Sequence, residues 1–434
     1  MENKELLHDL FLAYYDARRN KRKTINQLSF EVNLEQNIFD LYEDLISDKY
    51  EISPCIYFIN NYPVKREIFA GDFRDRVVHH LIYNYVYDIF DRYFIFDSYS
   101  CRTGKWTSFW IKRISKFIRS CSDNYTIDAY ILKLDISGYF MNINKYILFE
   151  KIKGILINHY CHPRAWHGDL LNDNPFIDSG LNPEWQNWNI DFLLNLIQKV
   201  VFHDNIKNAI FKGKREDYIG LPKNKSLFFA KNWCWLPIGN LTSQLFSNVY
   251  LDSLDKYIKK DLKIKYYGRY VDDFILIDSN KDRLTKIIPK ISHYLKQNLW
   301  LTLHPDKIYL QHYTKWVSFL WNIIKPYRNY TRKRTFWNFY KKIDKINKSF
   351  ASRPVSFLET GLRSELLSPI NSYLGFTRHT PSFKIRQKIL LKLDKKLSGF
   401  IFTNLKFNKI KINYGKLPKF TRLQDELWLA NTII

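Results

Sequence analysis

Residues 264–278 read IKYYGRYVDDFILID. The residues on both sides of Val271-Asp272-Asp273 are mostly aromatic or aliphatic, as is typical of short strands. One strand is expected around Lys265-Tyr266-Tyr267 and the other at Phe274-Ile275-Leu276-Ile277, with the chain folded back between them. The stretch therefore predicts a β-hairpin that presents two adjacent carboxylates at its turn.

A third carboxylate follows another strand pattern, far earlier in the chain. The run from Ala129 to Leu134 is short and apolar and ends at Asp135, which indicates a buried strand with a carboxylate at its tip. Joining a nucleotide to a primer needs two Mg²⁺ ions roughly 3.5–4 Å apart, held by oxygen ligands. Asp135, Asp272 and Asp273 are the predicted catalytic metal ligands, with Mn²⁺ as an alternative ion. We expect Asp272 to bridge both ions, Asp273 to support them and the Ile136 backbone carbonyl to complete a metal shell.

Taken alone, Asp272-Asp273 favours a solvated turn, because Asp is a common turn residue. Several flanking segments, in an order compatible with a polymerase, favour a catalytic role instead. They are LKLDISGYF at 132–140, LPIGNLTSQLFSNVYL at 236–251, REIFAGDFRDRVVHHL at 66–81, DSYSCRTGKWT at 97–107 and SYLGFTRH at 372–379.

Together with YVDD at 270–273, these segments resemble bacterial reverse transcriptases, most closely those of diversity-generating retroelements, over roughly residues 60–390. The resemblance implies an α+β, right-hand polymerase with fingers, a palm of antiparallel sheet backed by helices, and a helical thumb. It also implies an RNA-directed DNA polymerase that copies a cognate structured non-coding RNA into complementary DNA from dNTPs.

The resemblance assigns several residues to the incoming nucleotide. Lys65 and Arg66 fall where the fingers of similar enzymes grip the triphosphate, and a guanidinium suits two phosphate oxygens. Phe140, five residues after Asp135, is the candidate steric gate against a 2′-hydroxyl; its alternative is a core aromatic. The remaining nucleotide-binding candidates are Arg76, Ile238, Gly239 and Gln244. Gly239 is expected to let the backbone approach the nucleotide closely.

Further residues are assigned to catalysis and to the nucleic acid. Lys307 lies where similar enzymes carry a lysine that protonates the departing pyrophosphate. Phe319-Leu320-Trp321 stands where the family usually has FLG, the primer grip, so that a tryptophan replaces a glycine. Basic residues interleaved with aromatics bind phosphates and stack bases, and the candidates for this role are Lys105, Arg328, Arg332 and Lys333.

The charge balance agrees with a nucleic-acid partner. Lys and Arg total 68 against 43 Asp and Glu, which gives a formal net charge of +25 and indicates a polyanionic partner. Five cysteines without a CxxC pair favour a reducing cytoplasm. No apolar run approaches the roughly 20 residues of a membrane span, so a cytoplasmic protein without a membrane partner is expected.

Helical periodicity predicts helices over residues 4–19, from Asp75 to Phe96 and from Leu241 to Ile258. With the motif order, four regions are expected: an N-terminal helical and basic extension at 1–60, fingers at 61–130, a palm at 131–330 with a fingers-side insertion around 150–235, and the thumb with a basic C-terminal region at 331–434.

Three biological roles stay open at this point. The first is a retroelement polymerase that works with an accessory protein or as a homo-oligomer. The second is an antiphage defence enzyme that copies its own non-coding RNA, and the third is a catalytically inactive RNA-binding scaffold. A separate cluster, His159, Cys161, His162 and His167, has no familiar zinc spacing and favours a structural role over metal binding.

Overall fold

The computed structural model describes residues 2–19, 24–61, 65–161, 183–351, 362–398 and 401–412. The chain divides into two compact units. The first contains Met1–Trp106 and Tyr130–Leu310, and the second contains Thr107–Ala129 and Gln311–Ile434. Because compact units need not coincide with functional subdomains, the boundaries predicted at residues 60, 130 and 330 stay predictions.

In chain order, the described helices are α1 Glu2–Arg18, α2 Ile25–Val32, α3 Leu34–Ile46, α4 Phe73–Tyr93, α5 Thr107–Cys121, α6 Lys145–Cys161, α7 Pro183–Phe202, α8 Leu241–Lys256, α9 Lys281–Leu299, α10 Lys333–Ala351, α11 Ser368–Thr377, α12 Phe383–Leu390 and α13 Lys395–Ser398. The strands are β1 Ile56–Asn60, β2 Arg66–Ala70, β3 Tyr130–Asp135, β4 Ile210–Phe211, β5 Tyr266–Tyr270, β6 Asp273–Asp278, β7 Tyr309–His312, β8 Val317–Phe319, β9 Asn322–Lys325, β10 Arg328–Thr331, β11 Ile401–Thr403 and β12 Ile410–Ile412. Helices and mainly antiparallel sheets make the molecule α+β, as predicted.

The first unit is built on a four-stranded sheet in the order β5-β6-β3-β7. The hairpin partners β5 and β6 pair antiparallel from Tyr266↔Ile277 to Tyr270↔Asp273, so the predicted hairpin is confirmed. Strand β3 lies antiparallel to β6 and also ends where it was predicted to end, at Asp135. The sheet thus brings the last residue of β3 beside the first residue of β6.

Helices cover this sheet because their apolar positions recur at helical spacing. Helices α4 and α8 share one large core with the sheet, and Val78, Leu81, Tyr250 and Leu276 all lie in it. The helices predicted over residues 4–19, from Asp75 to Phe96 and from Leu241 to Ile258 are confirmed as α1, α4 and α8, with ends that differ by up to three residues. A second sheet has the strand order β2-β1-β4. Its strand β2 begins at Arg66, directly after Lys65.

The second unit joins α5 to a three-stranded antiparallel sheet in the order β10-β9-β8 and to helices α10 to α13. Its own core packs Phe339, Ile343, Leu374 and Ile389. None of the helices in the described parts of the chain is both long enough and apolar enough to cross a membrane.

Candidate active site

The three predicted carboxylates meet at one edge of the four-stranded sheet. Asp135 ends β3 and is the direct cross-strand partner of Asp273, which begins β6. Partners across an antiparallel pair project to the same face of the sheet. Asp272 lies beside them in the two-residue turn with Val271. Residues 137 positions apart in sequence are thereby brought together.

Burial and neighbouring charges shift the pKa of two of these carboxylates. Burial, and then the charges of Asp135 and Asp273, raise the pKa of Asp272 from 3.8 to about 7. Burial also raises the pKa of Asp273, with Asp135 adding to the rise and Lys133 opposing it. Clustered carboxylates repel one another, and a cation between them relieves that repulsion.

Two lysines balance part of this negative charge. Lys307 Nζ lies 2.9 Å from Asp135 Oδ1, and Lys133 Nζ lies 3.2 Å from Asp273 Oδ1. Lys133 was not predicted, although it lies two residues before Asp135 and strand alternation places both on one face. Within the described residues, no set of three His, Cys, Asp or Glu side chains is arranged as a ready metal site. The donor chemistry still fits Mg²⁺, since it consists of carboxylate oxygens in a half-buried cluster.

The turn between β5 and β6 has a strained backbone, and a buried arginine forms a hydrogen bond with it. Val271 has a φ of 57°, which is unfavourable for a β-branched residue. Arg269 Nη1 donates a hydrogen bond to the Val271 carbonyl at 3.0 Å. The same guanidinium binds both carboxylate oxygens of Asp255, at 2.8 and 2.7 Å, and both residues are fully buried. Sequence reasoning missed Arg269, because a buried arginine has no periodic signature.

The segment that was expected to approach the nucleotide packs on strand β2. The Phe69 amide donates to the Ile238 carbonyl at 3.0 Å, and the Gly71 amide donates to Asn240 Oδ1 at 3.2 Å. A Cβ on Gly239 would lie 2.3 Å from the Phe69 carbonyl oxygen, and its φ is +141°. The β2 backbone is therefore a close neighbour that by itself requires a glycine at position 239, and the approach of this segment to the nucleotide stays a prediction.

Strand β2 places one of the predicted phosphate-binding cations near the carboxylates. Arg66 is exposed, and its charge acts to lower the pKa of Asp272. The adjacent Glu67 is fully buried and was missed by sequence reasoning. It accepts hydrogen bonds from Tyr218 Oη, Ser226 Oγ and the Leu227 amide at 3.0, 3.2 and 2.6 Å.

The other predicted cations have intramolecular partners. Lys65 Nζ donates to the Asp217 and Ile219 carbonyls at 2.8 and 2.7 Å, and Arg76 Nε donates to the Gly71 carbonyl at 3.0 Å. Lys105 Nζ donates to the Phe96 carbonyl at 2.6 Å and lies over the Phe96 ring. Burial, and then the charge of Arg102, lower the pKa of Lys105 to about 8.

Three further nucleotide-site candidates lie around β3 and α8. Phe140 is half-buried in the turn after Asp135, and its carbonyl accepts from the Leu236 amide at 2.8 Å. Gln244 is exposed on α8 and accepts a hydrogen bond from Cys101 Sγ at 3.2 Å. Ile136 is buried and bridges to Leu303. Two backbone hydrogen bonds flank this bridge: the His304 amide donates to the Asp135 carbonyl, and the Ser137 amide donates to the Thr302 carbonyl. Neither bond uses the Ile136 carbonyl, which was predicted to bind metal.

The predicted primer-grip residues belong to the second unit, as do all of the predicted nucleic-acid residues except Lys105. Phe319 is buried against Trp110, with ring centroids 5.2 Å apart. Leu320 has a φ of 49°, so the left-handed position of the turn is Leu320 and the tryptophan that replaces glycine need not adopt it. Trp321 is 37% exposed and contacts Phe376. The Arg332 amide donates a hydrogen bond to the Trp321 carbonyl at 2.9 Å.

Arg328 and Lys333 are both exposed. Arg328 begins β10 and lies over the Tyr330 ring, and Lys333 begins α10. Of the His159, Cys161, His162 and His167 cluster, for which a structural role was expected, His162 and His167 lie outside the described residues, as does the side chain of Cys161. Only His159 is described, and the prediction for this cluster stays open.

Comparisons with known proteins identify the family of the chain. The family model for reverse transcriptase (RNA-dependent DNA polymerase) matches residues 66–358. A putative COX1/OXI3 intron 2 protein of Saccharomyces cerevisiae is 21% identical over 217 residues, which is 36% of this chain and 25% of that protein. The chain therefore spans about a quarter of the length of this curated relative.

Two solved structures share low overall similarity with the chain. An apo telomerase from Candida tropicalis has a TM-score of 0.44 at 14% identity, over 82% of this chain and 63% of that one. A telomerase from Candida albicans in complex with a TWJ fragment of telomeric RNA has a TM-score of 0.40 at 12% identity, over 82% and 61%. The family match carries the assignment: it covers more than half of the chain and contains the three clustered carboxylates, so the chain belongs to the reverse transcriptase family.

Proposed function

We propose that this chain is an RNA-directed DNA polymerase whose catalytic centre is formed by Asp135, Asp272 and Asp273. The observation that carries the proposal is the pairing of Asp135 with Asp273, beside a turn carboxylate whose pKa the two neighbours raise. Such a set of oxygen donors is suited to two divalent cations. Magnesium bound there would activate the primer hydroxyl and neutralise charge that develops on the phosphate.

The cations of the site have separate roles in this proposal. Arg66, exposed at the start of β2 and close enough to influence Asp272, binds the triphosphate with its planar fork. Lys307 pairs with Asp135 at 2.9 Å, and with a divalent ion held by that carboxylate its ammonium would be free to donate a proton to the leaving pyrophosphate. Lys65, Arg76 and Lys105 hold backbone carbonyls and support the fingers around the nucleotide.

The activity is tested by primer extension on an RNA template with dNTPs and Mg²⁺. Asp272→Asn and Asp273→Asn should each reduce DNA synthesis by about 10³-fold or more, because each removes a charged metal ligand. Asp191→Asn, an exposed carboxylate on α7, is the matched control and should retain full synthesis. Undiminished synthesis by the Asp272→Asn enzyme would refute the proposed centre.

Phe140 serves in this proposal as the gate against ribonucleotides. Its half-buried ring lies in the turn after Asp135 and packs against Tyr139, with centroids 5.3 Å apart. Phe140→Ala should increase ribonucleotide incorporation relative to deoxyribonucleotide incorporation, while Phe140→Tyr keeps the ring. Equal discrimination by the Phe140→Ala enzyme and the parent would assign the ring to the core alone.

We further propose the diversity-generating type, in which the enzyme copies a cognate structured RNA with an accessory protein. The proposal rests on the motif resemblance of YVDD and of the segment at 236–251. Sequencing the RNA and DNA that copurify from cells tests it: complementary DNA of a template repeat with adenine-directed changes supports it. Complementary DNA of a single upstream non-coding RNA, together with phage resistance, would instead favour the defence role.

A further inference from the structure

A cavity of about 870 Å³ lies entirely within the second unit. Its walls are the end of α5, the loop at 123–125 and the tip of the β9–β10 hairpin. This volume is within the range of roughly 300–1,000 Å³ that is usual for small-molecule sites. None of the three clustered carboxylates lines it.

The lining of this cavity is strongly positive. Lys116, Arg119, Lys325 and Arg328 contribute four cationic side chains, and Asp123 contributes one carboxylate. In the described parts of the chain, no carboxylate lies within ion-pair distance of Lys116, Lys325 or Arg328. The cavity therefore offers cations whose charge is not neutralised by the protein.

Two of these cations face each other in a way that costs stability. Lys325 and Arg328 are direct cross-strand partners on either side of the Pro326-Tyr327 turn. Like charges directly opposite each other destabilise a hairpin, and an anion bound between them would remove that repulsion. The pairing thus points to a phosphate-bearing ligand.

An aromatic row leads from the core to the cavity. Tyr313 is 9% exposed and its hydroxyl donates to the Tyr125 carbonyl at 3.1 Å. The Tyr125 ring contacts the Tyr327 ring, with centroids 4.5 Å apart, and Tyr327 is 83% exposed. The outermost ring contacts Tyr125 on one side and is one of the residues that line the cavity. A flat ring held in this way suits base stacking.

The wall that carries this ring is fixed to α5. Asn329 Nδ2 donates to Ser115 Oγ at 3.1 Å, and the Tyr327 amide donates to Tyr125 Oη at 3.5 Å. Arg119 Nε donates to Asn124 Oδ1 at 2.7 Å, which orients the arginine at the rim. These bonds tie the hairpin wall to the residues around α5 and hold Arg119 before any ligand binds, and such preorganisation reduces the cost of binding.

We propose that this cavity is a binding pocket for an unpaired stretch of nucleic acid. Lys116, Arg119, Lys325 and Arg328 bind its phosphates, and one unstacked base packs on Tyr327. A duplex does not meet these requirements, because its bases are stacked and paired and cannot lie on the ring. Single-stranded RNA and single-stranded DNA share the chemistry that the pocket recognises.

The test measures binding by the full chain without dNTPs, so that it does not depend on polymerase activity. Fluorescence anisotropy is recorded with labelled oligonucleotides of about 12 residues as single-stranded RNA, single-stranded DNA of the same sequence, and a blunt duplex. Tyr327→Ala should weaken single-strand binding between about 5-fold and 100-fold, and Tyr327→Trp should restore it. Duplex binding should change by less than about 2-fold.

A charge-matched pair of variants tests the phosphate contacts. Lys325→Gln with Arg328→Gln should reduce the slope of log affinity against log salt by about 1.4, since each single-strand phosphate contact contributes about 0.7. Lys286→Gln with Lys290→Gln, two exposed lysines on α9, removes the same charge outside the cavity and should leave the slope unchanged.

The outcomes separate the alternatives. A selective loss for RNA or for DNA supports the pocket and identifies the strand it holds, and an equal loss for both supports a pocket that reads only the base and phosphate. Unchanged binding by Tyr327→Ala, or equal losses for single strands and duplex, would overturn the proposal. Because no extension is measured, that failure would leave the proposed polymerase activity untouched.

Discussion

At the level of single residues, Asp272 carries a clear electrostatic cost. Burial and two neighbouring carboxylates raise its pKa from 3.8 to about 7. A carboxyl with a raised pKa destabilises the fold when it ionises. That cost is absent below the unfolded pKa near 4, grows as the pH rises, and is complete above about pH 7.

Asp272→Asn should therefore stabilise the metal-free protein at pH 8 and leave its stability nearly unchanged at pH 4. The rise in pKa corresponds to at most about 4 kcal/mol. Thermal unfolding in a chelator at both pH values measures the effect, with Asp191→Asn as the control. A stability difference that is equal at pH 4 and pH 8 would contradict it. Adding Mg²⁺ at pH 8 should stabilise the parent protein more than the variant.

Arg269 is the residue that links the catalytic turn to the core. Arg269→Met leaves Asp255 as a buried charge without its partner and should destabilise the protein by about 3–5 kcal/mol. Adding Asp255→Leu should recover much of that loss, because a buried ion pair can be replaced by apolar side chains. Urea denaturation measures both variants.

DNA synthesis should not recover in the double variant, because the hydrogen bond from Arg269 to the Val271 carbonyl remains lost. Recovery of both stability and synthesis would show that Arg269 serves stability alone.

At the level of elements, the loop before α8 packs directly on strand β2. The Phe69 amide binds the Ile238 carbonyl, and Gly239 lies against the Phe69 carbonyl. Strand β2 begins with Arg66. The position of Arg66, the proposed phosphate-binding residue, therefore depends on the contact between Phe69 and Gly239, which lie about 170 residues apart in sequence.

Gly239→Ala should displace β2, since the new Cβ would lie 2.3 Å from a backbone oxygen and φ is +141°. We expect the KM for dNTPs to rise by about 10-fold or more, as removal of a charged contact to a phosphate costs about 1.5–3 kcal/mol. Gly154→Ala is the matched control: no atom lies within 4 Å of its Cβ, and alanine favours a helix by up to about 1 kcal/mol over glycine. An unchanged KM in Gly239→Ala would separate β2 from nucleotide binding.

At the level of the whole molecule, the net charge of +25 governs association with nucleic acid. If six to ten phosphates are neutralised, RNA affinity should fall by about 10³–10⁵ between about 50 and 200 mM salt. Titrations over this range measure the slope. An oligonucleotide of the same sequence with an uncharged backbone should show almost no slope, and a shallow slope for RNA itself would contradict an extensive phosphate interface.

The sequence alone determined the β5–β6 hairpin, the strand that ends at Asp135 and the helices α1, α4 and α8. Side-chain periods of 2 and 3.6 residues and the chemistry of turns act over a few neighbouring residues, so they can be recognised along the chain. The meeting of Asp135 with Asp272 and Asp273 was also predictable, because it follows from strand ends and motif order.

Only the tertiary structure decided what surrounds those carboxylates. Lys65 binds carbonyls about 150 residues away, Glu67 accepts bonds from three residues of a distant segment, and Arg269 is buried on Asp255. The partner of a polar side chain is set by which distant backbone the fold brings within about 3 Å of it. A local sequence pattern contains no information about that distance, so these roles became visible only when the chain was folded.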